Sequence, residues 1–148
     1  MTRVENKTAI ITGAGSGLGE ASSELLAQHG ANVIVTDIDG QAAENTAQII
    51  QQRGGSAIAM QQDVTDQVRW QEVIAETEST FGGLDILVNN AGVGGVSAHP
   101  MEEVPFENWR EVMSINLDAV FLGCQAAITA MKVRGGGSII NISSIMGI

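Results

Sequence analysis

The sequence predicts a doubly wound α/β fold, in which helices cover both faces of one parallel sheet. Short apolar segments rich in β-branched residues alternate along the 148 residues with longer segments of helical period. Alternation of this kind requires right-handed crossover connections and is typical of a parallel sheet. A chain of this length forms one domain, residues 1–148, with a sizeable core.

Five segments are predicted strands, because each is short, apolar and bounded by turns. They are Lys7–Thr12, Asn32–Asp37, Ser56–Gln61, Leu84–Asn89 and Ser138–Ser143. Continuous apolar runs of this type suit strands that are buried on both faces of a sheet.

Three segments between the strands place apolar residues at helical spacing, and these residues should face the sheet. The stripes are Leu18, Ala21, Leu25 and His29; Trp70, Val73, Ile74, Thr77 and Phe81; and Trp109, Val112, Met113, Asn116, Val120, Cys124, Ala127 and Met131. Asp39 and Asp66 precede helical segments as N-caps, while Gly30 and Gly54 follow them as terminating glycines.

Composition excludes several classes of partner. The net charge of −10, with only seven scattered Lys and Arg, argues against nucleic acid and anionic membranes. No run approaches the roughly 18 apolar residues of a membrane span, and a single cysteine, Cys124, indicates a reducing, cytoplasmic setting. Two isolated histidines, His29 and His99, do not predict a metal site.

A glycine-rich segment, Thr12–Gly19, joins the first strand to the first helix. A helix N-terminus offers free N–H groups and a positive dipole to a pyrophosphate, and glycines let the backbone approach it. The spacing is G-x-x-x-G-x-G rather than the general G-x-G-x-x-G. The segment therefore predicts a dinucleotide site; the alternative is a purely structural turn.

Asp37 ends the second strand about 20 residues after the glycines, where a carboxylate accepts hydrogen bonds from the adenosine ribose. A 2′-phosphate would meet like charge there, and neither Ser16 nor the neighbouring Ile38 supplies a compensating cation. These residues favour NAD, with NADP less favoured. The alternative for Asp37 is a helix cap, a role that suits Asp39 better.

Polar and small residues also follow the third and fourth strands, at the edge where open α/β sheets bind ligands. Asp63 and Val64 follow the third strand, and Asp63 could accept a hydrogen bond from an adenine amino group. Asn90, Ala91 and Gly92 follow the fourth, where the two small residues would let the backbone approach a ribose. Asn90 could instead be a turn residue that bonds its own backbone.

Together these motifs resemble the short-chain dehydrogenases/reductases. Thr12-Gly13-x-x-x-Gly17-x-Gly19, Asp63-Val64, Asn89-Asn90-Ala91-Gly92 and Gly137–Ser144 occur in the family's order and spacing across the chain. The resemblance implies a Rossmann-type sheet of order 3-2-1-4-5. It also implies that Gly13, Ser16, Gly17, Leu18 and Gly19 hold the pyrophosphate and adjoining riboses, that Asp63 and Val64 hold the adenine, and that Asn90 holds the nicotinamide-side ribose.

The resemblance assigns catalytic roles to two residues. Asn116 would help to organise a proton-relay water, and its place on the apolar stripe predicts a buried, hydrogen-bonded amide. A core asparagine without a catalytic role is the alternative. Ser144 would hydrogen-bond the substrate carbonyl or hydroxyl, with the adjacent Ser143 as its rival.

The family's acid/base pair, a tyrosine and a lysine four residues later, is expected after Ser144, but the sequence contains no tyrosine and stops at Ile148. We therefore expect the parent protein to be an NAD-dependent oxidoreductase that moves hydride between the cofactor and a secondary alcohol or ketone. The 148 residues alone, without the family's last strands and helices, should catalyse poorly. The alternative is a natively truncated, non-catalytic dinucleotide-binding or assembly module. A homodimer or homotetramer is expected through the long helix 108–132.

Overall fold

The computed structural model describes residues 3–94 and 100–144. Within them, five strands form one parallel sheet in the order β3-β2-β1-β4-β5, which confirms the predicted topology. The strands are β1 (Thr8–Thr12), β2 (Asn32–Asp37), β3 (Ser56–Gln61), β4 (Ile86–Asn89) and β5 (Ser138–Asn141). The last two are two residues shorter than predicted. His99, one of the two histidines discussed above, lies outside the described residues.

The helices lie between the strands as predicted. They are α1 (Gly17–Gln28), α2 (Gly40–Gln52), α3 (Gln67–Phe81), α4 (Phe106–Met113) and α5 (Ala119–Val133), with a 3₁₀ turn at Met101–Glu103 and a π-helical turn at Ser114–Asp118 joining α4 to α5. The Asp39 and Asp66 side chains cap α2 and α3 by accepting backbone N–H groups of the first turn. Gly30 and Gly54 have positive φ directly after helices, as expected.

The sheet separates two apolar clusters, because alternate residues of each strand point to opposite faces. On one face, Ile11 and Val35 pack with residues of α1 and α2. On the other, Ile10 and Ile34 pack with Trp70 of α3 and with α5. All four isoleucine and valine side chains are fully buried, so the centre of the sheet is the core of the domain.

The buried face of α1 differs from the predicted stripe. Leu18 and Leu25 are 74% and 55% exposed, whereas Gly19, Ser23 and Ala27 are buried. The small residues allow α1 to lie close to the sheet, and the Ser23 hydroxyl is satisfied by the Gly19 carbonyl at 2.9 Å. Burial therefore follows side-chain size here and not apolar character.

The third predicted stripe is correct only in its second half. Ala127 and Met131 of α5 are buried and Cys124 is partly buried, but Trp109 of α4 is 49% exposed and Asn116 is also exposed. The prediction of a buried Asn116 amide was therefore wrong. The π-helical turn contains Asn116 and adds a residue to one turn, which changes the register between α4 and α5.

Phe106–Val133, which comprises α4, the π-helical turn and α5, is long and apolar enough to cross a membrane by length and composition. On this measure the expectation that no segment approaches a membrane span was wrong. Length and composition are weak evidence for a span, because the core helix of a soluble protein passes the same test; in this helix 17% of the apolar window is buried. Here the inner side of α5 packs against the sheet with Ala127 and Met131.

Asp85 joins three chain segments at the amino end of the sheet. Its carboxylate accepts the Thr8 N–H at 3.0 Å and lies 3.4 Å from Lys7 Nζ and from Arg134 Nε. Burial alone would raise the pKa of Asp85, but the Thr8 hydrogen bond and the charges of Arg134 and Lys7 together lower it below its usual value. The folded state therefore favours the ionised carboxylate.

This shift makes Asp85 a determinant of acid stability. The unfolded carboxyl binds a proton at higher pH than the folded one, so its stabilisation is complete above a pH of about 4 and is lost as pH falls through the folded pKa. We expect Asp85→Asn to lower the free energy of unfolding by about 1–3 kcal/mol at neutral pH. Urea unfolding from pH 7 to pH 3 should show this difference shrinking in acid.

Asp118→Asn is the matched control, because Asp118 is exposed in the π-helical turn. It should unfold like the wild type throughout this range. A difference between wild type and Asp85→Asn that stays constant down to pH 3 would contradict the assignment.

Candidate functional site

The predicted site residues meet at the carboxyl edge of the sheet, where β1 to β4 end side by side. The glycine turn follows β1, Asp37 ends β2, and Asp63 and Asn90 follow β3 and β4. Parallel pairing alone brings these segments together, because all strands run in the same direction. The contacts among them decide what the edge can bind.

Thr12 connects the ends of β1 and β4. Its side chain is 1% exposed, and its hydroxyl oxygen accepts the backbone N–H groups of Asn90 and Ala91, both at 3.0 Å. The same hydroxyl donates to the Val88 carbonyl at 3.4 Å. One side chain thus fixes the first two residues after β4. Thr12 belongs to the glycine-rich motif, but its spacing in the sequence does not predict this junction with β4.

The Asn90 side chain holds the start of the glycine turn. Its Nδ2 donates to the carbonyl oxygens of Thr12 at 2.9 Å and Gly13 at 3.1 Å. Both acceptors belong to the turn after β1. The Asn90 side chain therefore does not bond its own backbone, and the alternative of a local turn residue is wrong. Asn90 therefore stabilises the turn after β1 from the segment that follows β4.

Two glycines allow this close approach. Gly13 has φ +60°, and a Cβ built on it would lie 2.8 Å from the Cα of Ala91. A Cβ on Gly19 would collide with the Gly13 carbonyl oxygen and lie 2.6 Å from Asn90 Nδ2. Neither position has room for a side chain. The small size of Ala91 serves this contact between the two segments.

The outer side of the turn is open. Ser16 caps α1 with extended backbone and makes no side-chain cap bond, and Leu18 is 74% exposed. A Cβ on Gly17, whose φ is +57°, would meet nothing within 4 Å. The N-terminus of α1 thus presents backbone N–H groups to an unobstructed space, and these residues fit a bound pyrophosphate.

The Asp37 carboxylate lies between the turn and α2. Its Oδ2 accepts the Gly15 N–H and its Oδ1 accepts the Asp39 N–H, each at 2.9 Å. The capping alternative for Asp37 is wrong, because Asp39 supplies the α2 cap. Ile38 is 67% exposed beside it.

Asp63 lines an open cleft together with Ile38, and Val64 follows it, packed against the core. The cleft is lined by Ile38, Gln61, Asp63, Asp66 and Arg69. Thr65 donates to Asp63 Oδ1 from both its backbone and its hydroxyl, and Trp70 Nε1 donates to the Val64 carbonyl at 2.8 Å, so both residues are fixed.

Arg69 is a cation in this cleft that the sequence analysis missed. Its Nε donates to the Gln61 carbonyl at 2.8 Å and its guanidinium forms an ion pair with Glu72. The partner Glu72 lies one turn further along α3, so the ion pair is local to the helix surface.

Asn116 contacts the segment after β4 and not the core. Its Oδ1 accepts the Val93 N–H and its Nδ2 donates to the Val93 carbonyl, both at 2.9 Å. A Cβ on Gly92 would lie 3.3 Å from Asn116 Oδ1. The amide bonds the Val93 backbone through both its oxygen and its nitrogen and fixes the chain that leads away from Asn90. One donor and one acceptor position of this exposed side chain remain for a further partner.

A second pair of amides joins β4 to β5 below this edge. Asn89 Nδ2 donates to Asn141 Oδ1 at 2.8 Å, and Cys124 of α5 lies 3.6 Å from Asn89 Nδ2. The Ile142 N–H continues the pairing by donating to the Asn89 carbonyl at 3.0 Å. These contacts fix the chain directly before Ser144, which is exposed just beyond β5. Spacing along the sequence gave no signal for this pair.

Two buried threonines near the carboxyl ends of the central strands provide a test of the junction. Thr12 and Thr36 are register partners with 1% and 0% exposure, but the Thr36 hydroxyl makes one bond, to the Ile11 carbonyl. Thr12→Val should leave two amides without an acceptor, at about 1–3 kcal/mol each. Thr36→Val should cost about 1 kcal/mol. Equal losses in urea unfolding would contradict the role given to Thr12.

Comparison with known proteins identifies the family. The family model for the short chain dehydrogenases matches residues 7–148. The chain is 41% identical over 147 residues to a 2,5-dichloro-2,5-cyclohexadiene-1,4-diol dehydrogenase of Sphingobium indicum, covering 98% of this chain and 57% of that protein. It is 39% identical to a cyclohexanol dehydrogenase of an Acinetobacter species, with coverage of 99% and 58%.

Comparison with solved structures also identifies a dehydrogenase as similar to this chain. A crystal structure of a hydroxysteroid dehydrogenase from Escherichia coli superposes with a TM-score of 0.90 at 38% identity, covering 97% of this chain and 60% of that one. The chain thus spans between half and two thirds of the length of these relatives. The match covers nearly every residue, and the chain belongs to the short chain dehydrogenase family.

Proposed function

We propose that this chain is the cofactor-binding part of an NAD-dependent oxidoreductase that moves hydride between the nicotinamide and a secondary alcohol or ketone. The observation that carries the proposal is the convergence of the open glycine turn, Asp37 and Asn90 at one sheet edge. The names of the relatives, which specify a cyclohexadiene diol, cyclohexanol and a hydroxysteroid, support an alcohol as substrate.

The cofactor would lie along the carboxyl edge. The N-terminus of α1, with Gly13, Ser16, Gly17, Leu18 and Gly19, would hold the pyrophosphate and the adjoining riboses. The cleft lined by Ile38 and Asp63, with Val64 next along the chain, would hold the adenine. The segment Asn90–Gly92 would adjoin the nicotinamide-side ribose, with Asn90 acting mainly by shaping the turn, since its Nδ2 already bonds two turn carbonyls.

NAD is preferred to NADP in this proposal because of the charge at the end of β2. The Asp37 carboxylate would accept hydrogen bonds from ribose hydroxyls. A 2′-phosphate would bring two negative groups together, and the paired Arg69 offers little compensation.

Ser144 and Asn116 are the proposed catalytic residues. Bound NAD would supply the acceptor or donor of the hydride. The Ser144 hydroxyl would donate to the substrate oxygen and stabilise charge that develops there. Asn116 would fix the wall of the site through Val93 and support a proton-relay water.

The general acid/base, a tyrosine in the family, is not among these 148 residues. We therefore propose that they do not catalyse efficiently alone.

Self-association is proposed for the outer face of the long helix, residues 108–132. Apolar side chains are exposed on or beside it, including Trp109, Leu117, Phe121 and Ile128, which are 45–65% exposed. Contiguous apolar surface of this kind favours a second copy of the chain as partner. The proposal also includes a small-molecule substrate and a cytoplasmic location. It includes no nucleic-acid or membrane partner.

Asp37→Ala in the full-length protein tests the choice of cofactor. Loss of a charged acceptor costs about 1.5–3 kcal/mol, so the Kd for NAD should rise about 10- to 100-fold. The Kd for NADP should rise less, because removal of the carboxylate also removes repulsion. Calorimetric titration of both cofactors measures this. A wild type that already prefers NADP would refute the argument.

Ser144→Ala tests the proposed reaction. In the full-length protein it should lower kcat for oxidation of a secondary alcohol about 10²- to 10³-fold, as loss of one donor to a developing oxyanion does. The Kd for NAD should stay unchanged. Ser143→Ala is the matched control and should keep most of the activity. The reverse ranking would move the catalytic role to Ser143.

A further inference from the structure

We propose that Asp37 has a second task, which rests on the proposed cofactor site. Its carboxylate holds Gly15, and through Gly15 the pyrophosphate-binding turn, in the conformation that receives the ligand. Asp37 is then a positioning residue for the phosphate groups as well as a partner of the ribose. One side chain thus contributes to binding both the ribose and the pyrophosphate of the cofactor.

Two consecutive amides of the turn are tied to the end of β2. The Ala14 N–H donates to the Thr36 carbonyl at 2.9 Å, and the Gly15 N–H donates to Asp37 Oδ2 at 2.9 Å. The first bond continues the ladder between β1 and β2 beyond the strands. The second can form only because the residue after Thr36 has a side-chain acceptor, since the ladder itself ends there.

Packing leaves Gly15 little freedom. A Cβ built on it would lie 2.6 Å from the Cβ of Ala42 in α2 and 3.0 Å from Asp37 Oδ2. Asp37 is itself fixed, because its Oδ1 accepts the Asp39 N–H just before α2 begins. The carboxylate therefore links the turn to the N-cap residue of α2.

This link is compatible with ribose binding. A carboxylate has about four acceptor positions on its two oxygens, and the two backbone bonds use one on each. Ribose hydroxyls can bind at the remaining positions. Replacing Asp37 to admit a 2′-phosphate would thus also release Gly15, and a loosened turn binds phosphate less well because its competent conformation is less populated.

The test separates the two tasks with two ligands and two variants of the full-length protein. ADP has the ribose hydroxyls, and 2′,3′-dideoxy-ADP lacks them. Asp37→Asn and Asp37→Ala both remove the charge, but only asparagine keeps an acceptor oxygen for Gly15. We expect Asp37→Asn to bind 2′,3′-dideoxy-ADP about two- to tenfold more tightly than Asp37→Ala, the value of one neutral hydrogen bond. Hydrogen exchange of the Gly15 amide should be faster in Asp37→Ala, with Val35 of β2 as the folding control.

Failure of the positioning role and failure of the proposed cofactor site give different results. If the two variants bind the dideoxy ligand equally and protect Gly15 equally, the positioning role is refuted, while loss of ADP affinity in both would leave the ribose role intact. If the wild type binds neither ADP nor NAD, the proposed function fails and this inference fails with it. A faster Gly15 exchange together with weaker dideoxy-ADP binding in Asp37→Ala supports the inference.

Discussion

The carboxyl edge of the sheet depends on how closely the ends of β1 and β4 approach each other. Thr12 accepts two amides from the start of the segment after β4, and Asn90 returns two hydrogen bonds to the carbonyls after β1. These reciprocal bonds are possible only because Gly13 lies against Ala91 without a side chain. The glycines of the turn therefore serve two purposes: Gly13 and Gly19 allow this contact, and Gly17 leaves the outer side open to a ligand.

Polar side chains at the two ends of the sheet have different tasks. At the amino end, Asp85 satisfies its charge with Lys7, Arg134 and a backbone amide, so the group is saturated and stabilises the fold. At the carboxyl end, Asp37 bonds backbone amides with both oxygens and keeps acceptor capacity on each. A buried, fully paired carboxylate contributes stability, whereas a partly used one can also recognise a ligand. Asp85 therefore stabilises the amino end of the sheet, whereas Asp37 can also bind a ligand at the carboxyl end.

Much of the architecture could be predicted because it depends on local chemistry. The strands, the caps Asp39 and Asp66 and the strand order all follow from patterns within short segments or from one family's motifs. The buried face of α1 could not, since Gly19 and Ser23 are buried for their size while Leu18 is left outside. The exposure of Asn116 depends on a π-helical turn, and the Asn89–Asn141 pair depends on strand register. Both features depend on tertiary structure, which residue spacing in the sequence does not predict.

The central claim is that the turn after β1 and the neighbouring strand ends hold a dinucleotide. Amide chemical shifts of the ¹⁵N-labelled full-length protein during titration with NAD test it most directly. We expect saturable shifts for Gly15, Gly17 and Leu18, together with Val64 and Asn90, and unchanged amides at Thr8 and Asp85 on the opposite edge. Unchanged turn amides at saturating NAD, or shifts confined to the amino edge, would contradict it.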